Sequence, residues 1–353
     1  MPLFTELSLT AQTAYAQLFE ATLATELSRS VADLRGSFAR KTVKGREYWY
    51  FQFTDLGGTL RQLYVGPDSD PVRQLVAESR RPRDEPIHQL ARSAVALGCA
   101  ALLPRHYRVI RRLSEYGFFR AGGVLVGTHA FLAYGNVLGV RWVEPARTQD
   151  VDLAHAGKNV SVALPATLQV DTHAAIQSLQ LGLLPIGATG TMSGATYLNP
   201  KDPEFRLDFL TTLHRGGDEP FEHPQLHVTL QPLRFMEYAL EGVGQATVFC
   251  DEGAVAVNVP HPARYALHKL LVYGERKGSF LQKSQKDLAQ AGALLECLKV
   301  RRPWEVEEAW ADLLSRGPGW ATRARQGLRA LVAMAPELDL ERWLGGPKSS
   351  NKR

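Results

Sequence analysis

An α+β fold is what the sequence predicts: a central mixed sheet with flanking helices, preceded by an N-terminal helix plus a three-stranded antiparallel sheet, and followed by a C-terminal helical region. Three observations carry this expectation. Leu9 to Val31 is rich in Ala, Leu, Gln and Glu at helical spacing, and Gly36 to Gly66 then switches to alternating residues with glycine turns. Between 87 and 260, short apolar strands are interleaved with helical stretches. From Pro262 to Leu344 the pattern is helical, with interruptions near Arg302-Pro303 and Gly317-Pro318-Gly319. The charged, proline-bounded run Arg80-Arg81-Pro82-Arg83-Asp84-Glu85-Pro86 reads as a linker, so the expected units are 1–80, 87–260 and 261–345.

Taken in order, the first helix has Thr10 as a candidate N-cap. Lys44-Gly45 and Leu56-Gly57-Gly58 are turns between three short strands. In the middle strand Trp49, Phe51 and Phe53 share one face, while Arg46, Tyr48, Tyr50 and Gln52 share the other. Pro71 to Ser79 starts another helix, and two more follow over Ile87–Leu103 and Arg105–Gly117. Val124–Val126 is a buried strand, Thr128–Leu138 a helix, and the next clear strand carries Asp150 and Asp152. Pro165–Leu181 reads as a helix. After a Gly/Thr/Ser-rich stretch, Gly187–Asn199, comes an apolar strand, Glu204–Thr211, bearing Asp208. Strands at Ala246–Phe249 and Ala254–Val259 precede the helix from Pro262.

Composition narrows the function. Of 353 residues 45% are hydrophobic and 22% charged, as in ordinary soluble globular proteins. The longest nearly apolar run, Ala94 to Leu103, is well short of the roughly 20 residues that span a bilayer, so no membrane is expected. Met1 to Ser30 does not read as a signal sequence, and a reducing cytoplasm is the expected setting. Cys99, Cys250 and Cys297 are scattered without a C-x-x-C, against disulfide or zinc frameworks. The net charge of +5 is uneven: 17 basic against 12 acidic residues over 1–120, 7 against 14 over 121–260, and 17 against 10 over 261–353. The acidic block suits metal binding. The basic flanks suit a polyanion such as RNA, or are simply solvated helix faces.

Asp150 and Asp152 are two residues apart on a strand and so present their carboxylates side by side. Paired carboxylates repel unless a cation lies between them, and Mg²⁺ is bound through carboxylates and substrate phosphates. Gly127-Thr128 opens the preceding helix, whose N-terminal N–H groups and dipole favour a phosphate. Asp208 sits among large apolar residues in Phe-Arg-Leu-Asp-Phe-Leu, where an unpaired charge is costly. A neighbouring strand would bring it to the same cation pair, the alternative being an ion pair with Arg206. Arg141 and Arg147 are candidate charge partners for these acids or for a triphosphate. His129, His261, His268 and the loop histidines His214, His223 and His227 lack ligand spacing and read as packed or surface residues.

The pattern Gly127-Thr128, then Arg147-Thr148-x-Asp150-Val151-Asp152, then Asp208, resembles the nucleotidyltransferase fold superfamily shared by DNA polymerase beta and the tRNA-CCA-adding enzymes. It is most similar to bacterial minimal nucleotidyltransferases, including toxins of abortive-infection toxin–antitoxin systems. Lys269-Leu-Leu, Arg276 and Lys286-Asp287-Leu288 look like that branch's C-terminal K…R…KD motif. The resemblance covers roughly residues 105–300 and implies a nucleotidyltransferase-like sheet. It also implies two Mg²⁺ ions, or Mn²⁺, held by Asp150, Asp152 and Asp208, with Asp208 helping to deprotonate an acceptor hydroxyl. Gly127, Thr128, Arg147, Thr148, Lys269 and Asp287 would bind the NTP, and RNA or tRNA and an antitoxin protein are the partners it points to. The turn is Gly-Thr where the family has Gly-Gly or Gly-Ser. The 23-residue step from Gly127 to Asp150 is longer than in the polymerases.

The small N-terminal sheet stands apart. Its Lys41…Gly45-Arg46-Glu47-Tyr48-Trp49-Tyr50…Arg61-Gln62-x-Tyr64-x-Gly66 run is similar to sheets at the start of some transposases. Lys44, Arg46, Tyr48 and Tyr50 could contact nucleic acid by stacking and charge, or the aromatics could pack on helix 9–31. The leading function is therefore metal-dependent transfer of an NMP from an NTP to an acceptor hydroxyl, an RNA 3′ end before a protein or small molecule. The alternatives are a non-catalytic nucleic-acid-binding protein on the same shell, and a phosphodiester hydrolase, which needs more histidine ligands.

Overall fold

The computed structural model describes residues 2–28, 36–43, 45–54, 60–73, 76, 85–144, 148–156, 170–186, 193–213, 217–275 and 281–345. β1 (Phe4–Glu6) leads into α1 (Leu9–Ser28). β2 (Gly36–Val43), β3 (Arg46–Thr54) and β4 (Leu60–Pro67) form the expected antiparallel sheet, in that order. Next come α2 (Glu85–Ala96), α3 (Pro104–Glu115), β5 (Gly123–Leu125), α4 (Gly127–Val137), β6 (Val140–Trp142) and β7 (Asp150–His155). They are followed by α5 (Thr172–Gln177), β8 (Leu184–Ile186), β9 (Thr196–Asn199), β10 (Asp202–Thr212), β11 (Phe221–His223), β12 (Val228–Leu233) and α6 (Met236–Leu240). The hairpin β13 (Gly244–Cys250) and β14 (Gly253–Val259) precedes α7 (Pro262–Glu275), α8 (Leu281–Arg301), α9 (Pro303–Ser315) and α10 (Pro318–Met334).

Among the described residues the central sheet is mixed and has seven strands. Its spine runs β11-β12-β10-β7-β5, with β9 also on β10 and β8 on β9. β10 is parallel to both β7 and β12, whereas β9 meets it antiparallel and β5 is antiparallel to β7. Alternation along β7 and β10 sorts the side chains. Val151, Leu153, Leu207 and Phe209 are fully buried in the main core, and Asp150, Asp152 and Asp208 lie on the opposite, half-buried face. That core continues into α3, α7, α8, α9 and α10.

The N-terminal helix belongs to the packing of the body. β1 pairs with β6, Phe4 opposite Trp142. Leu7, Ala11, Tyr15 and Leu18 share a buried cluster with Ile87, Ala91 and Ala94 of α2 and Phe249 of β13. The helix starts at Leu9, with Ser8 and not Thr10 as the capping residue: its Oγ accepts from the Ala11 N–H at 3.2 Å.

Proline marks the helix starts at Pro104, Pro303 and Pro318, where its fixed φ suits the first turn. Two expected helices are shorter. The one over Ile87–Leu103 ends at Ala96, because Gly98 has φ +86° and its carbonyl accepts from Arg141 Nη2 at 2.8 Å. Of Pro165–Leu181, residues 165–169 lie outside the described residues. The helix there covers only Thr172–Gln177, capped by the Asp171 carboxylate accepting from the Ala174 N–H at 2.7 Å. Most of Pro71–Ser79 and part of the linker also lie outside them. Among the described residues no helix is long and apolar enough to cross a membrane. The three cysteines are buried and unbridged.

Candidate nucleotide-binding cleft

Strand register decides which acids meet. β7 and β10 run parallel with Asp152 beside Asp208 and Asp150 beside Arg206, so three carboxylates and one guanidinium share a sheet face. The arginine bridges two of the acids: its Nη2 is 3.2 Å from Asp150 Oδ2 and its Nε 3.2 Å from Asp208 Oδ2. Thr196 on β9 donates its hydroxyl to Asp208 Oδ1 at 2.7 Å. Asp208 is therefore near the pair, as the sequence implies, and is also ion-paired to Arg206. The alternative pairing with Arg206 is thus present in the structure.

Asp152 faces a helix N-terminus. Gly127 opens α4 with φ +60°, a conformation that favours glycine, and a Cβ placed there would come within 1.9 Å of Asp152 Oδ2. The capping position is Val126, which offers no side-chain cap, and the first turn holds no acid, so the positive end of the helix suits an incoming anion. Thr148 supports the pair from below: the Asp150 N–H donates to its Oγ1 at 3.3 Å.

The far wall is made by α7 and α8. Tyr265 donates its hydroxyl to the Gly127 carbonyl at 2.7 Å and lies 3.2 Å from Gln290 Oε1, while Gln290 Nε2 donates to Thr128 Oγ1 at 3.4 Å. Lys269 Nζ is 2.5 Å from Asp287 Oδ1 and sits 4.9 Å from the centre of the Tyr265 ring. Burial and the neighbouring Lys269 lower the Lys286 ammonium, whereas Asp152, Asp287 and Asp150 pull it back up. Between the walls is a cavity of about 730 Å³.

Gly127, Thr128, Thr148, Asp150, Asp152, Lys269 and Asp287 all line that cavity. Neither Asp208 nor its partner Arg206 is among its lining residues. Arg147 and Arg276 lie outside the described residues, and Arg141 binds the Gly98 carbonyl instead of an acid. Sequence reading gave no role to Tyr265 or Gln290, named Lys286 only as part of the K…R…KD resemblance, and missed Arg206 as a partner of Asp150. One signal was available: Tyr265, His268, Lys269 and Val272, at i, i+3, i+4 and i+7 on α7, all face the cavity.

His268 lines the cleft, whereas His129 is packed against His106. His129 Nε2 and His106 Nδ1 are 3.0 Å apart and buried, and burial pushes His106 down to about 4 and His129 down to about 3. Among the described residues no three His, Cys, Asp or Glu side chains form a ready-made metal cage. The donor set still fits Mg²⁺, which takes one or two carboxylates and completes its shell with water and substrate phosphates. Asp150 and Asp152 provide those two. A larger cavity, about 960 Å³, lies elsewhere, against Phe19, Arg120 and Glu237. It holds none of the paired aspartates, so size alone does not locate the chemistry.

A family model described as "Nucleotidyltransferase" matches residues 105–315, more than half of the chain. Among solved structures, the chain is similar to an antigenic nucleotidyltransferase-like protein from Paracoccidioides brasiliensis. Identity is 15%, the match covers 64% of this chain and 95% of that one, and the TM-score is 0.29. No curated protein matches the chain.

Proposed function

The chain belongs to a nucleotidyltransferase family, and within it we propose that this protein moves an NMP from an NTP to an acceptor hydroxyl with release of pyrophosphate. One observation carries the reading: Asp152 sits against the N-terminus of α4 with Asp150 beside it, across a cleft from Lys269 and Lys286. Carboxylates on one wall and positive groups on the other match a metal–triphosphate and little else.

Asp150 and Asp152 would hold Mg²⁺, or Mn²⁺, through their carboxylate oxygens. Bound there, the cation supplies Lewis-acid polarisation of the α-phosphate and charge neutralisation of the pyrophosphate. The Gly127 and Thr128 N–H groups bind phosphate oxygens at the helix N-terminus, and Lys269 and Lys286 add positive charge from the far wall. Tyr265 fixes the loop by its bond to the Gly127 carbonyl. Asp208, oriented by Thr196 and Arg206, accepts the proton of the acceptor hydroxyl as the new O–P bond forms and the bond to pyrophosphate breaks.

The basic segments flanking the acidic block favour an RNA 3′ end as acceptor. A toxin-type role is supported by the place of Lys269, Lys286 and Asp287, whose spacing resembles that branch, along the cleft. The test is incubation with each α-³²P NTP, Mg²⁺ or Mn²⁺, and total RNA and protein. Label should move to RNA and vanish with EDTA and with Asp150→Ala or Asp152→Ala. Transfer undiminished in both variants removes the assignment.

A further inference from the structure

We propose that the β2–β4 sheet is a separate binding face for single-stranded RNA, built from Tyr48, Tyr50 and Tyr64 with Lys41 and Arg46. The register puts these side chains together. Lys41 lies opposite Tyr48, Tyr50 opposite Tyr64, and Gln52 opposite Gln62, and directly opposed residues share a face. Tyr64 packs against both other tyrosines, with ring centres 6.0 Å from Tyr48 and 5.6 Å from Tyr50. Lys41 Nζ lies 5.2 Å from the centre of the Tyr50 ring.

This cluster is not core. Among the strand residues whose side chains are described, no hydrophobic one is buried and none belongs to a core cluster. The face of α1 that could have covered the aromatics is spent on α2 and β13. Tyr64 is 58% exposed. Contiguous exposed aromatic surface marks a contact site.

Charge selects the occupant. Lys41 and Arg46 are exposed on the tyrosine face. Glu47, the acid of the described strands, points to the other side and is bound there by Arg40 at 2.9 Å. Asp68, just past β4, is held by Trp49 and Arg73. A positive, aromatic, solvent-facing surface fits a polyanion whose bases are free to stack, which a single strand offers and a duplex does not. The amides of Gln52 and Gln62, opposite one another in the register and with Gln62 Oε1 accepting from Lys41 Nζ at 2.5 Å, add hydrogen-bonding groups for base edges and ribose 2′-hydroxyls, favouring RNA over DNA.

The test is fluorescence anisotropy of the full-length protein with fluorescein-labelled oligouridylate, without NTP. Tyr64→Ala should weaken binding about tenfold and Tyr64→Phe should restore it, since the ring and not the hydroxyl does the stacking. Lys41→Gln and Arg46→Gln should each lower the slope of log K against log salt by about 0.7. Equal affinity for duplex RNA, tighter binding of the matching DNA strand, or Tyr64→Ala and Lys41→Gln proteins that bind like the wild type would each overturn the proposal. Because no NTP is present, a protein that binds RNA but transfers nothing leaves this surface standing and defeats only the catalytic reading.

Discussion

Tyrosine is used in two opposite ways in this molecule. Around the cleft, Tyr265, Tyr134 and Tyr238 are buried, and each donates its hydroxyl at 2.7 Å to a carbonyl: those of Gly127, Pro260 and Ala309 respectively. On β2–β4, Tyr48, Tyr50 and Tyr64 gather on a solvent-facing surface. The charges divide likewise. Lys269 and Asp287 pair with side chains only 11% and 12% exposed, while Arg40 and Glu47 are 52% and 41% exposed. A buried ring with a satisfied hydroxyl fixes a backbone, and a wet ring keeps its face available to a ligand. Buried ion pairs constrain geometry, whereas exposed ones contribute little energy. The cleft is organised for positioning and the small sheet for contact.

Variants can sharpen that contrast, beginning with the largest effect. Asp150→Ala or Asp152→Ala should lower kcat by at least about a thousandfold, the several kcal/mol that a placed cation supplies. RNA affinity of the same proteins, read by anisotropy, should be unchanged if the two regions are separate.

Acid should unfold the body and spare the sheet. His106 and His129 stay neutral in the fold down to about 4 and about 3, against 6.5 when unfolded. Above pH 6.5 neither state is charged. As pH falls below 6.5 the unfolded chain takes up protons that the native pair refuses, so stability is lost between 6.5 and about 4. By pH 5 this amounts to on the order of 2 kcal/mol per imidazole. Urea unfolding at pH 7.5 and 5 measures it, and His129→Gln should flatten the dependence.

Gly127→Ala comes next. A methyl at φ +60° against Asp152 should cost on the order of 1–3 kcal/mol and depress transfer, checked by melting and by labelling. Smaller still, Tyr265→Phe removes the hydroxyl that meets the Gly127 carbonyl and Gln290 and should cost about 1 kcal/mol with a raised KM for NTP. Tyr64→Ala should shift stability by less than about 0.5 kcal/mol. A large loss of stability there would mean that its ring supports the fold, and the contrast between the two regions would fail.

Part of the site was legible early because it is local. Asp150 and Asp152 share a face by the two-residue period of a strand, and Gly127 stands where a strand turns into a helix. The tyrosine face of β3 follows from the same period. Helix ends were less legible. Pro165–Leu181 looked helical throughout, yet the Asp171 cap fixes a later start and Gln180, at φ 54°, closes the segment.

Sequence alone determined what repeats along the chain: the alternation that splits acids from valines and leucines on β7 and β10, and the helical runs after Pro262. Tertiary structure decided what meets across it. Whether Asp208 lies beside Asp152, and whether Arg206 reaches both Asp150 and Asp208, depends on the register of two strands more than fifty residues apart. A one-residue slip would turn Asp208 to the other face of the sheet. Burial of Val151, Leu153, Leu207 and Phe209 against the helices forbids that slip, and this packing is a property of the assembled core that no local pattern encodes.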